Sequence, residues 1–142
     1  MADTNALYRL LDPKDPRHDA HREALETTGH LVVSPMVLAE LDYLITERRG
    51  ARAAATALEF IAEQADAQQF EIGQRRPLPH RHRDHERLGG ADGGKGVGLT
   101  VAMTVALAAA YRTDAVFTSD RHFRMMRPLT QHDAFRLLPD DL

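Results

Sequence analysis

The stretch LVVSPMVLAELDYL, residues 31–44, joins a short apolar run directly to a helix start. Residues 31–33 are apolar and mostly β-branched, which is typical of a buried strand. Ser34 can cap a helix because its hydroxyl oxygen accepts from first-turn amides, and Pro35 suits the first helical position because it has no amide to leave unpaired. The stretch therefore predicts a buried strand followed at once by a helix.

The rest of the chain repeats this alternation. We predict further helices over 4–11, 18–28, 51–69 and 100–111, the Pro35 helix running to about residue 49, and further strands over 70–72 and 115–118. Short apolar strands that alternate with helices favour a parallel sheet covered on both faces. The sequence therefore predicts an α/β fold with a central, mostly parallel sheet.

Composition limits the possible function classes. The chain has 142 residues, 43% of them hydrophobic and 27% charged, which predicts one globular domain over 1–142. A net charge of -3 excludes a strongly basic nucleic-acid binder, although a local basic surface can still hold a polyanion. The absence of cysteine suits a reducing cytoplasm. The longest apolar run, 101–111, is about half the length of a membrane helix, so we expect no membrane association.

Three carboxylates stand near the ends of apolar runs: Asp3, Glu40 and Asp120. In an open parallel sheet, reactive residues gather beyond the carboxyl ends of the strands, where these acids are expected. Each also has a structural interpretation. Asp3 or Thr4 could cap a helix, Glu40 could be a surface acid at a helix flank, and Asp120 could be a turn residue.

Together with their flanking residues, the three acids resemble the PIN-domain ribonucleases, and most closely the VapC toxins of type II toxin–antitoxin pairs. The resembling stretches are 2–7, 32–44, 105–108, 111–114, 118–123 and 127–128. The resemblance implies a three-layer α/β/α fold and an endoribonuclease in which Asp3, Glu40 and Asp120 hold Mg²⁺ or Mn²⁺. Hard divalent cations prefer such oxygen ligands, and packed like charges are unfavourable without the metal. It also implies an RNA substrate, a VapB-like antitoxin that silences the toxin, and a homodimer.

Val101 departs from the family pattern. The family's helix opening Gly-Leu-Thr-X-Ala usually carries aspartate at X, whereas residues 98–102 read GLTVA. Valine cannot coordinate a metal, so metal affinity and rate should fall. Asp92, in the preceding glycine-rich loop, is a candidate substitute. The alternative function is a catalytically impaired PIN domain that only binds RNA or antitoxin.

Residues 74–98 are a second departure, because relatives have a regular amphipathic helix there and this segment has no apolar period. Its enrichment in Arg, Pro, His and Gly is typical of GC-rich codons read in a shifted frame, so one hypothesis is a local frameshift or a decayed reading frame. The others are a disordered basic loop and a transition-metal loop that uses His80, His82 and His85.

Basic residues follow Asp120 directly, namely Arg121, His122, Arg124 and Arg127. The arginines are candidate RNA-binding residues because guanidinium groups make paired bonds to phosphate oxygens. The structural alternative is a solvated surface with ion pairs.

Only Met1 and Ala2 precede Asp3, whereas relatives have several apolar residues that form the central strand. Either the start site is misplaced or the first strand is stunted. If the chain begins at Met1, we expect marginal stability, because a shortened central strand loses backbone pairing and core contacts.

Overall fold

The computed structural model describes residues 1–73 and 98–142. The helices are α1 (Thr4–Leu10), α2 (His18–Thr28), α3 (Pro35–Arg49), α4 (Ala51–Asp66) and α5 (Leu99–Ala110), with a 3₁₀ helix at Arg121–Met125. The strands are β1 (Leu31–Val33), β2 (Phe70–Ile72), β3 (Ala115–Phe117) and β4 (Arg136–Leu138). The predictions for Asp92 and for the three histidines of the 74–98 segment lie outside the described residues.

The sheet is parallel and is joined at its centre by the first residues of the chain. β1 pairs with β2, and β3 pairs with β4, both in parallel. Ala2 forms parallel bridges to Val33 on one side and to Phe117 on the other. The Ala2 amide donates to the Val32 carbonyl at 2.8 Å, and the Asp3 amide donates to the Phe117 carbonyl at 3.0 Å. The order across the sheet is therefore β2, β1, residues 1–3, β3, β4.

Alternate residues of each central segment pack on opposite faces of this sheet, as the two-residue period of a strand requires. Val33 and Phe117 face a core that includes residues of α1, α2, α3 and α4. Val32 and Val116 face a second core with Val105 of α5. Among the described residues, four helices thus cover one face and α5 covers the other, so the predicted three-layer α/β/α arrangement with a parallel sheet is confirmed.

Most helix ends follow the predicted local signals, and the end of α4 does not. Gly29 ends α2 in a left-handed conformation with φ of 66°, and the Ser34 hydroxyl accepts from the Met36 amide at 3.1 Å to cap α3. The predicted helix over 51–69 was too long. α4 ends at Asp66, because Gln68 adopts φ of 59° and the Gln69 carbonyl already accepts from the Leu31 amide in the sheet.

Two elements were not predicted. β4 and the 3₁₀ helix are too short to display a hydrophobic period of their own. β4 exists because pairing with β3 satisfies its backbone, with the Thr118 amide donating to the Leu138 carbonyl at 3.0 Å.

Ser34→Ala should lower the free energy of unfolding by about 1 kcal/mol, because it removes the capping acceptor at the start of α3. Urea unfolding followed by circular dichroism measures this. Thr56→Ala is the matched control, since Thr56 is exposed on α4 and its hydroxyl bonds only to the Arg52 carbonyl. Equal losses in the two variants would show that the cap contributes nothing specific.

Candidate active site

A cavity of about 380 Å³ lies where α1, α3 and the start of α5 meet the carboxyl edge of the sheet. Its lining includes all three predicted carboxylates, Asp3, Glu40 and Asp120, together with Val101. Residues separated by more than a hundred positions in sequence are thus neighbours here. The cavity also carries basic and aromatic side chains farther along α1 and α3, namely Tyr8, Arg9 and Arg48.

Asp3 is the buried member of the acidic set, with 5% of its surface exposed. The Thr118 hydroxyl donates to its carboxylate at 2.8 Å, and the same hydroxyl oxygen accepts from the Asp120 amide at 3.0 Å. Asp3 occupies the N-cap position of α1, but the predicted side-chain cap was wrong, because the carboxylate makes no capping hydrogen bond there. Its position beside β3 aims the carboxylate at Thr118 instead.

Burial raises the pKa of Asp3. The Thr118 hydroxyl and the neighbouring Thr4 amide oppose this effect, whereas the negative charges of Asp120 and Glu40 raise the pKa further. Asp3 therefore lies close enough to Asp120 and Glu40 to feel the repulsion of their charges. A cation bound among them would relieve that repulsion.

Glu40 lies on the exposed side of α3 and is connected to α1 by a hydrogen bond from the Thr4 hydroxyl at 2.5 Å. Thr4 is itself buried and immediately follows Asp3. This bond holds the Glu40 carboxylate toward the cavity, although an isolated glutamate at this helix position would be free to point into solvent.

Asp120 begins the 3₁₀ helix and accepts from the His122 amide at 2.9 Å. The Nδ1 atom of His122 lies 2.7 Å from the same carboxylate oxygen and forms an ion pair with it when the ring is protonated. The turn interpretation of Asp120 is thus confirmed as a structural role. The same residue also lines the cavity.

Two polar residues that sequence reasoning missed hold the loop after β3. The Asn5 side-chain oxygen accepts from the Ser119 amide at 2.8 Å. The buried His21 ring contacts the Ser119 hydroxyl through Nε2 at 3.1 Å and the Arg17 carbonyl through Nδ1 at 2.7 Å. A carbonyl can only accept, so Nδ1 carries the proton and Nε2 accepts from Ser119. Asn5 lies two residues after Asp3, but only strand pairing reveals its partner.

The donor chemistry of the three carboxylates suits Mg²⁺ or Mn²⁺, both of which prefer oxygen ligands. Within residues 1–73 and 98–142, however, no group of three or more acidic or histidine side chains is already arranged to hold a metal ion. Val101 lies in the lining and supplies no ligand atom. The acids therefore share a cavity without forming a closed ligand cluster.

The arginines after Asp120 differ in their surroundings. Arg124 donates two bonds to the Asp141 carboxylate, at 3.1 and 2.9 Å, so the ion-pair interpretation applies to it. Arg121 and Arg127 are exposed, and neither side chain makes a hydrogen bond or ion pair in the described part of the chain. Their guanidinium groups stay available to a ligand.

Comparison with known proteins identifies the family. The family model for the PIN domain matches residues 1–127. This chain belongs to the PIN domain family. Ribonuclease VapC26 of Mycobacterium tuberculosis is 38% identical over 135 residues, which cover 91% of this chain and 93% of that protein. The predicted resemblance to VapC proteins is confirmed.

A solved structure also resembles this PIN domain. VapC20 of Mycobacterium tuberculosis, a sarcin-ricin loop cleaving toxin, matches with a TM-score of 0.60 and 19% sequence identity, covering 84% of this chain and 88% of that one. At this identity the likeness supports the fold alone. None of the described helices has the length and apolarity needed to cross a membrane.

Thr118→Val should destabilise this PIN domain by about 2 kcal/mol, because it removes the donor to the buried Asp3 carboxylate and the acceptor for the Asp120 amide. Denaturant unfolding at neutral pH measures the loss. Thr104→Val is the matched control, since Thr104 is also buried but bonds only to the Thr100 carbonyl of its own helix. Thr104→Val should lower the free energy of unfolding by no more than about 1 kcal/mol. A smaller loss for Thr118→Val than for the control would contradict this role.

His21 should make stability depend on pH. Burial lowers the pKa of His21, so the neutral ring is favoured in the folded state and the unfolded chain binds a proton first as pH falls. The stabilisation is fully present above the unfolded pKa of about 6.5 and is lost as pH falls toward the lower folded pKa.

Urea unfolding between about pH 7 and pH 5 should therefore show a shallower pH dependence for His21→Gln than for the unmodified chain. Identical slopes for His21→Gln and the unmodified chain would exclude His21 as the titrating group.

Proposed function

We propose that this PIN domain is a metal-dependent endoribonuclease toxin that hydrolyses RNA phosphodiesters and is neutralised by a VapB-like antitoxin. The observation that carries the proposal is the shared cavity of Asp3, Glu40 and Asp120, in a chain 38% identical to Ribonuclease VapC26. Residues 1–142 would act as one domain, as a homodimer in the cytoplasm.

Asp3, Glu40 and Asp120 would hold Mg²⁺ or Mn²⁺ through their carboxylate oxygens. When bound, such an ion polarises water and offsets negative charge at a phosphodiester. The chain itself orients the acids. Thr118 donates to Asp3, and Thr4 donates to Glu40. These hydroxyl bonds limit the rotamers of the carboxylates and so reduce the entropy lost when a cation is held.

RNA would reach the acids beside a positively charged surface. Arg121 and Arg127 are the candidates for phosphate binding, because both are exposed and follow Asp120 within seven residues. Arg124 is a weaker candidate since Asp141 occupies its guanidinium group.

The second candidate function is a catalytically impaired PIN domain that only binds RNA or antitoxin. The observation that favours it is the position of Val101 in the cavity lining, where an apolar side chain faces the space shared by the acids. A missing carboxylate removes both a ligand and a negative charge, so metal affinity should be lower than with aspartate at this position.

A cleavage assay on bulk RNA with Mg²⁺ or Mn²⁺ tests both candidates. The unmodified chain should cleave, and Asp3→Ala should lower the rate by roughly a hundredfold or more because a buried ligand is lost. Val101→Asp should raise the rate and tighten Mn²⁺ binding measured by calorimetry. Asp66→Ala is the control, since Asp66 is an exposed acid at the end of α4.

The outcomes separate the candidates. Cleavage by the unmodified and Asp66→Ala chains, and not by Asp3→Ala, supports the nuclease. Cleavage by Val101→Asp alone supports the impaired domain. Cleavage that survives Asp3→Ala would contradict an active site built on this residue.

A further inference from the structure

The cavity continues from the acids into a groove between α1 and α3. Glu40, Leu44 and Arg48 follow one another at four-residue intervals on α3, and all three line the cavity. Thr4 and Tyr8 have the same spacing on α1. Residues at this spacing share one helix face. Arg48 therefore lies about 12 Å along the helix axis from Glu40, at the far end of the same groove.

The far end of the groove is cationic. Arg9 is neutralised by Asp15, whose carboxylate lies 3.0 Å from its guanidinium group. Arg48 differs, because it is exposed and has no carboxylate partner among the residues that the structure describes. Its guanidinium carbon lies 5.1 Å from the centre of the Tyr8 ring. This charge is thus uncompensated within the described part of the chain.

Tyr8 restricts the position of that charge. Its ring is half-buried and packs against the core on the α1–α4 side of the sheet. A cation over an aromatic face is attracted by the ring quadrupole, and this contact uses no N–H donor. Arg48 is therefore held beside the groove while its donors remain available, which reduces the entropy lost on binding a ligand.

We propose that Arg48, held over Tyr8, is a phosphate-binding subsite for the RNA strand that extends from the acids along the groove between α1 and α3. The subsite rests on the proposed function, because the position of the RNA strand follows from the phosphodiester that the acids would cleave. Arginine matches the paired oxygens of phosphate. A strand near three carboxylates is repelled, and an uncompensated cation in the same groove offsets that repulsion. Positive grooves with aromatic side chains are common in single-strand binding.

Binding of a fluorescein-labelled single-stranded RNA of about ten nucleotides, measured by fluorescence anisotropy in EDTA, tests the subsite without cleavage. Arg48→Gln should weaken binding about tenfold, equally for different sequences, because phosphate contacts carry no base information. The slope of log affinity against log salt should fall by about 0.7 for one lost phosphate contact to a single strand.

Arg52→Gln is the matched control. Arg52 is an exposed arginine on α4 without a side-chain bond in the described residues, so the variant changes the net charge equally at a position outside the groove. It should leave affinity and salt slope unchanged. Equal effects of Arg48→Gln and Arg52→Gln would overturn the subsite and leave only general electrostatic attraction.

This binding assay, together with the cleavage assay in Mg²⁺ or Mn²⁺, separates the subsite proposal from the nuclease proposal. If the Arg48 effect appears in a chain that cleaves nothing, the subsite stands and the nuclease proposal fails. If the chain cleaves but Arg48→Gln binds RNA normally, the nuclease stands and the subsite fails. A glutamate-rich peptide whose binding depends on Arg48, with RNA binding unaffected, would assign the groove to an acidic protein partner and overturn the RNA assignment.

Discussion

The backbone pairing of residues 1–3 between β1 and β3 is the constraint on which the rest of the structure depends. Ala2 bridges Val33 and Phe117 at once, and without it the sheet consists of two separate two-stranded pairs. Such short pairs are not stable by themselves. The central position also explains why Ala2 is completely buried. Residues 1–3 therefore connect both halves of the sheet.

The same pairing creates the acidic cavity. Because Asp3 follows Ala2 and pairs with Phe117, its side chain reaches the edge at which β3 ends, and Thr118 meets it there. The Thr118 oxygen also accepts a hydrogen bond from the Asp120 backbone amide, so one hydroxyl connects the Asp3 carboxylate to the backbone of Asp120. Glu40 joins them through Thr4. Sheet order and site geometry thus have a common cause.

The two ends of the cavity carry opposite charges. The acids at one end raise the pKa of Asp3, which burial has already raised. At the other end Arg48 is a cation without a described carboxylate partner, while Arg9 is paired with Asp15. A groove that is acidic at one end and basic at the other suits a ligand that carries both a metal-binding phosphate and a continuing anionic strand. Val101 interrupts the acidic end with an apolar surface.

The sequence by itself determined the local elements and the family. Ser34 and Pro35 predicted the start of α3, Gly29 predicted the end of α2, and the acids with their neighbours predicted the PIN resemblance. These signals involve residues close together in the chain.

Tertiary structure alone decided β4, the end of α4 at Asp66, the roles of Asn5 and His21, and the pairing of Arg124 with Asp141. Each depends on a partner far away in sequence, and no local period or propensity records such a partner. The groove from Glu40 to Arg48 likewise exists only because α1 and α3 pack side by side on the same face of the sheet.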